Sequence, residues 1–301
     1  MLKRLLTYYK EMYPLIPRFL LAIIYFFEIY FILLLNVGKS DFSIGIQEWT
    51  GVWTIFTFLM ALRIADDFKD YEHDQRLFPD RALPSGRVKK RDLAIALAVM
   101  VTITVVLNVI FMNNIGWFLF LFIYGTLMSL WFFSKAKIQK SLPLALVTHN
   151  PVMMVMNIYI ITFVCYKYQL PLLSLPTVLL AFTMYFPSLI WEISRKIRAP
   201  KDETEYVTYS QLFTYQKATR FVQVLTIIDI LTNFILLWNI SKIGVVVLLA
   251  NVIWMTIQFQ QFIHDPTRFS IKNRVERYTY ITETTMVLSV AAHLLLQGFV
   301  R

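Results

Sequence analysis

The chain has 301 residues, 57% of them hydrophobic, with 7 Trp, 16 Tyr and 25 Phe, and its mean hydropathy is +0.58. That composition excludes an ordinary soluble domain, and a single cysteine, Cys165, excludes an intramolecular disulfide or a thiolate metal site. The net charge of +10 is compatible with nucleic acid, but no DNA-binding motif rides on the basic segments, so a nucleic-acid partner is not expected.

Hydropathy places nine spans in chain order, near 15–36, 48–66, 92–112, 115–133, 143–165, 174–193, 218–239, 243–262 and 279–299. Each is long enough to cross a hydrocarbon core of roughly 30 Å. The first is too long for a cleaved signal peptide and has no small-residue cleavage site. The expected fold class is therefore all-α, a polytopic nine-transmembrane-helix bundle forming one integral-membrane domain over residues 1–301. Of 29 Lys and Arg residues, all but Lys39, Lys167, Lys242 and Arg301 fall in or beside segments 3–18, 63–91, 135–140, 195–220 and 268–277. This is the positive-inside pattern. It places the amino terminus and the two long loops, 67–91 and 194–217, in the cytoplasm, and the carboxyl terminus outside.

After the second span comes Arg63-Ile-Ala-Asp66-Asp67-Phe-Lys-Asp70-Tyr-Glu-His-Asp74. On a continuous helix Asp66, Asp67, Asp70 and Asp74 fall at about 0°, 100°, 40° and 80°, with Arg63 on the same arc at about 60°. Four crowded carboxylates repel one another unless a cation shares their site, and one arginine does not neutralise four acids. Hard oxygen ligands of this kind suit Mg²⁺. The turn Phe78-Pro-Asp-Arg-Ala-Leu-Pro-Ser-Gly86 follows.

The sixth span ends in Ser188-Leu-Ile-Trp-Glu192-Ile-Ser-Arg195-Lys196, whose Ser188, Glu192, Arg195 and Lys196 share a helical face. It continues through Lys201, Asp202, Glu203 and Glu205. Acidic clusters on equivalent loops of the two halves suggest a pseudo-repeated site around the bundle centre, although the halves share no convincing sequence identity. Such a rim suits a diphosphate held by magnesium. Asp66, Asp67, Asp70, Asp74 and Glu192 are the candidate metal ligands. Arg63, Arg195, Lys196 and Lys201 are the candidate diphosphate contacts, and the apolar interior would take an isoprenoid tail. The metal would stabilise departing diphosphate, and aromatic faces would shelter the allylic cation.

At these residues the chain resembles the UbiA-type intramembrane prenyltransferase superfamily. That family's first signature is Asn-Asp-x-x-Asp-x-x-x-Asp followed by an Arg-Pro-Leu-Pro-x-Gly-like turn. Here it reads Asp66-Asp67-Phe-Lys-Asp70-Tyr-Glu-His-Asp74, then Arg81-Ala-Leu-Pro-Ser-Gly86, with Asp for the leading Asn and Ala for the first Pro. The second signature, an Asp-rich stretch ending the sixth span, is replaced by Glu192, Arg195, Lys196, Asp202, Glu203 and Thr208-Tyr-Ser210. Ser134-Lys135-Ala-Lys137 is similar to a basic stretch that helps bind diphosphate in the family, which implies a role for Lys137. The resemblance implies Mg²⁺-dependent prenyl transfer with Asp67, Asp70 and Asp74 in the catalytic set, to which the acid–base chemistry of the sixth span's end adds Glu192, Arg195 and Lys196. The implied partners are a prenyl diphosphate donor, an aromatic or lipid-like acceptor, and membrane lipids.

Within the spans, Glu28 and Asp229 are costly in lipid and should face the interior. His149 and Asn150 precede Pro151, where a substrate contact and a helix-kink network are both open readings. The aromatic stripe Phe118, Phe120, Phe122 and Tyr124 reads as packing, and so does Cys165. Three functions stay open: transfer of a polyprenyl group to an acceptor, cyclisation of the isoprenoid without an acceptor, and a non-enzymatic carrier using the acids as an ion site.

Overall fold

The computed structural model describes residues 1–204 and 207–297; Glu205, Arg301 and the last residues of the expected ninth span lie outside the described residues. In order the α-helices are α1 (Leu2–Met12), α2 (Leu15–Asn36), α3 (Ile46–Lys69), α4 (Tyr71–Leu77), α5 (Lys90–Phe111) and α6 (Ile115–Ser129). There follow α7 (Lys135–Ile138), α8 (Leu142–His149), α9 (Val152–Tyr168), α10 (Leu175–Thr183), α11 (Phe186–Ser194), α12 (Tyr209–Phe213), α13 (Tyr215–Leu237), α14 (Lys242–His264) and α15 (Ile271–Leu296). Among the described residues there is no β-strand.

Each of the nine expected spans coincides with one helix or a broken pair. Seven segments are long and apolar enough to cross a membrane: α2, α5, α8–α9, α10–α11, α13, α14 and α15. The apolar α6 is shorter. The helix α3 carries Glu48, Arg63, Asp66, Asp67 and Lys69 near its ends, yet its 24 residues reach about 36 Å at 1.5 Å per residue. The chain is thus an all-α, multi-pass integral membrane protein. The breaks have local causes. Pro151 lies between α8 and α9, and Pro187 lacks the N–H that would bond the Thr183 carbonyl, where α10 ends.

The chain divides into two compact units. The first comprises Met1–Phe27, Phe42–Lys135 and Thr162–Leu170. In it α3 packs against α5 and α6, and α1 against α5. Phe58, Ile64, Leu93, Phe118 and Leu121 fill the interior. Gly125 of α6 lets the helices close up, since a Cβ there would stand 2.7 Å from the Phe58 ring. Polar side chains meet across the helices: Asn108 donates to Thr54 at 2.7 Å, Trp53 to Thr104 at 3.0 Å, and Lys167 pairs with the buried Glu48 at 2.5 Å.

The second unit comprises Glu28–Asp41, Ala136–Ile161 and Pro171–Arg301. Here α13 is packed by α10, α11, α12 and α14, and α15 lies against α14 and α11. Glu28 and Asp229 are both buried, as their cost in lipid requires. Asp229 accepts hydrogen bonds from Tyr278 at 3.0 Å and from Asn233 at 2.9 Å. Asn150 donates to Ser188 at 3.2 Å, which ties the Pro151 break to α11.

Candidate functional site

The aspartates of the first unit do not lie on one unbroken helix. The helix α3 ends at Lys69, and Asp70, with φ −100° and ψ 11°, caps it and opens α4. Asp70 N–H still reaches the Asp66 carbonyl at 2.9 Å, so the chain bends without losing its ladder. Aspartate favours such junctions because its side chain competes with the helical backbone for hydrogen bonds.

Nor does one arginine face four acids. Arg63 donates to Asp67 Oδ1 at 2.6 Å, Lys69 pairs with Asp66 at 2.8 Å, and Arg81 pairs with Asp74 at 2.9 Å. Arg81 is delivered by the 78–86 turn. Gly86 at φ +76° closes that turn with a conformation costly for other residues, while Ala82 and Leu83 are buried beneath it. The Arg81 guanidinium also lies 3.9 Å from the centre of the Phe78 ring. Asp67 and Asp74 are buried, Asp66 is half-buried and Asp70 is exposed. The Asp70 carboxylate accepts no hydrogen bond from the described residues. Partial burial raises its pKa above the usual carboxylate range, with repulsion from Asp66 and Asp74 adding to the effect and Lys69 and His73 opposing it.

Two features beside this cluster were not legible in the sequence. Tyr8 of α1 donates its hydroxyl to Asp67 Oδ2 at 2.6 Å. Its only sequence signal is the spacing of Leu5, Tyr8 and Met12, which makes α1 amphipathic. Trp131, Phe132 and Phe133 are all left-handed, at φ 55°, 48° and 56°, and the Lys69 ammonium stands 4.9 Å from the centre of the Trp131 ring. Strain of this kind tends to collect at functional sites.

In the second unit, Glu192 receives Arg195 Nε at 2.6 Å and Lys196 Nζ at 2.8 Å, so that cluster is internally paired. Tyr209 is buried with its hydroxyl lacking a partner; burial, reinforced by the Glu192 charge, pushes its phenol up to about 12. Lys137 in α7 and Lys201 are both exposed.

Among the described residues, no three His, Cys, Asp or Glu side chains gather closely enough to hold a metal ion on their own. Magnesium rarely requires that. It is commonly bound by one or two carboxylates, water and substrate phosphate. The donor set around Asp67, Asp70 and Asp74 is all oxygen and fits such an ion. Arg63 keeps a buried Nε with no acceptor, which fits an incoming anionic oxygen.

The sequence matches no protein-family model, and a comparison with curated proteins finds no match. The fold does have known counterparts. A digeranylgeranylglyceryl phosphate synthase aligns over 96% of this chain and 99% of its own, at 15% identity and a TM-score of 0.68. A UbiA homologue from Aeropyrum pernix K1 aligns over 92% of this chain and 98% of its own, at 12% identity and a TM-score of 0.64. The chain has the UbiA-type fold along almost its whole length.

Proposed function

We propose that this protein transfers a polyprenyl group from an allylic prenyl diphosphate to an aromatic or lipid-like acceptor within the membrane, in a magnesium-dependent reaction. The observation that carries this reading is the pair of buried aspartates, Asp67 at the end of the membrane-length α3 and Asp74 in the short α4 that follows, each paired with an arginine in a UbiA-type fold. We assign magnesium to Asp67 together with one of its neighbours Asp70 and Asp74, the donor's diphosphate and water completing its shell. Arg63, with one terminal nitrogen on Asp67 and Nε unmatched, is positioned to take a diphosphate oxygen. When bound, magnesium would neutralise the diphosphate and stabilise the charge that grows on it as it departs. Arg81 holds Asp74 in place, from a turn anchored by the buried Ala82 and Leu83.

An apolar cavity of about 250 Å³ in the first unit supports the tail of such a donor. It is lined by Phe58, Ala61, Leu62, Ala65, Phe122 and Gly125 among others, so it reaches the residue preceding Asp66. Phe58 and Phe122 are among its lining residues, and aromatic rings attract a nearby cation. Arg195, Lys196, Lys201 and Lys137 are proposed diphosphate contacts, and Glu192 a proposed ligand, on the strength of their chemistry. The cytoplasmic placement of the amino terminus and both long loops rests on the distribution of Lys and Arg. Cysteines introduced at Ser85 and Asp202 should react with an impermeant thiol reagent from the cytoplasmic side alone.

The test is product analysis on purified protein in lipid nanodiscs, with labelled allylic prenyl diphosphates, Mg²⁺ and candidate acceptors. A prenylated product that requires both acceptor and Mg²⁺ supports the reading. A hydrocarbon or alcohol formed without acceptor would replace it with a cyclase, and no Mg²⁺-dependent consumption of any diphosphate would remove it.

A further inference from the structure

We infer that Tyr8, on the amino-terminal helix, is a positioning residue that sets the orientation of the Asp67 carboxylate. The helix α1 is held to the first unit by three polar ties. Arg4 pairs with the buried Asp92 of α5, Tyr8 donates to Asp67, and Glu11 pairs with Arg87, just after the 78–86 turn. Tyr8 is the central tie and is fully buried, whereas Leu2, Lys3, Leu6 and Lys10 face outward.

The geometry at Asp67 is specific. Arg63 occupies Oδ1 and Tyr8 occupies Oδ2, each at 2.6 Å. An ionised carboxylate offers about four lone-pair directions on its two oxygens. Donors on different oxygens fix the plane of the group and leave roughly two directions open for a cation. A buried phenol whose only need was an acceptor could take a backbone carbonyl, as Tyr13 does with Phe56 at 2.9 Å. Tyr8 instead reaches 59 residues along the chain to an acid that an arginine already holds. The phenol hydroxyl supplies the proton of this contact, so Tyr8 donates and the Asp67 oxygen accepts. Hydrogen bonds to ligating groups commonly tune metal affinity by about 10- to 100-fold.

This inference rests on the reading of Asp67 as a metal ligand, and the test separates the two. The probe is Mn²⁺ alone, a hard oxygen-seeking ion with a spectroscopic signal, titrated into the full chain in nanodiscs. Asp67→Asn tests the premise. Tyr8→Phe removes only the hydroxyl and keeps the ring. Arg4→Ala loosens α1 through Asp92 without touching Asp67. The expected result is loss of Mn²⁺ binding in Asp67→Asn, affinity weakened about tenfold or more in Tyr8→Phe, and a change within about twofold in Arg4→Ala. Unchanged affinity in Tyr8→Phe overturns the inference while the metal reading stands. Equal weakening in Tyr8→Phe and Arg4→Ala also overturns it, by reducing α1 to a structural support. Wild-type affinity in Asp67→Asn removes the inference together with its premise.

Discussion

The two acid–base clusters solve their charge balance in different ways. In the second unit Glu192 takes both its cations, Arg195 and Lys196, from the next turn of chain, three and four residues on. In the first unit the partners of the buried acids come partly from elsewhere. Asp67 draws on Arg63 and also on Tyr8, while Asp74 waits for Arg81 to be folded back by a turn. The local arrangement has two cations for one acid and is half open to solvent, where such pairs are worth about 0–1 kcal/mol. The first cluster has four acids, two of them buried, and three cations. Its balance is left short of neutral, which is the condition that favours a further cation.

The sharpest way to break this contrast is Asp67→Asn, which keeps the shape of the side chain and removes its charge. Turnover of prenyl diphosphate should fall by about a hundredfold or more, the scale of losing one charge-stabilising group in an active site. Wild-type kinetics in well-expressed protein would sink the assignment. Arg81→Ala comes next. It leaves Asp74 buried without its arginine, and should lower kcat/KM by about tenfold and stability by about 1 kcal/mol, read from turnover and thermal unfolding.

Arg195→Ala probes the self-paired cluster. Stability should change by less than about 0.5 kcal/mol, because Lys196 still holds Glu192. Donor KM should rise and kcat fall, by less than in Arg81→Ala. Steady-state kinetics with both parameters unchanged would return this cluster to a helix-end charge network.

The smallest expected effect concerns Glu11, whose carboxyl the Arg87 hydrogen bond holds below the ordinary value of 4.5. A lowered folded pKa means the contact stabilises the docked helix above that ordinary value, and the stabilisation is lost as pH falls through the lowered one. Relative to the parent, Glu11→Gln should speed hydrogen exchange over residues 2–12 at neutral pH, with the difference vanishing in acid. No difference at neutral pH would assign the docking of α1 to Tyr8 and Arg4 alone.

Much of the architecture was readable from the chain because its causes are local and additive. Apolar length decides which segments suit a hydrocarbon core, so each of the nine expected spans found a helix or a broken helix. Pro151 marks one of the breaks because a missing N–H acts within one turn. The self-pairing of Glu192 with Arg195 and Lys196 also follows from helical spacing. The four aspartates and the Arg-Ala-Leu-Pro-Ser-Gly turn were visible as a motif for the same reason. Their pairing was not. Whether α3 continued past Lys69, where Asp74 then pointed, and which distant side chain reached Asp67 depended on contacts between segments far apart in sequence. Tyr8 and Asp67 meet because α1 packs on α5 within the first unit, and Arg81 meets Asp74 because the chain folds back there onto the buried Ala82 and Leu83. Those are tertiary decisions, since a buried carboxylate takes its partner from whatever the fold brings within hydrogen-bonding distance.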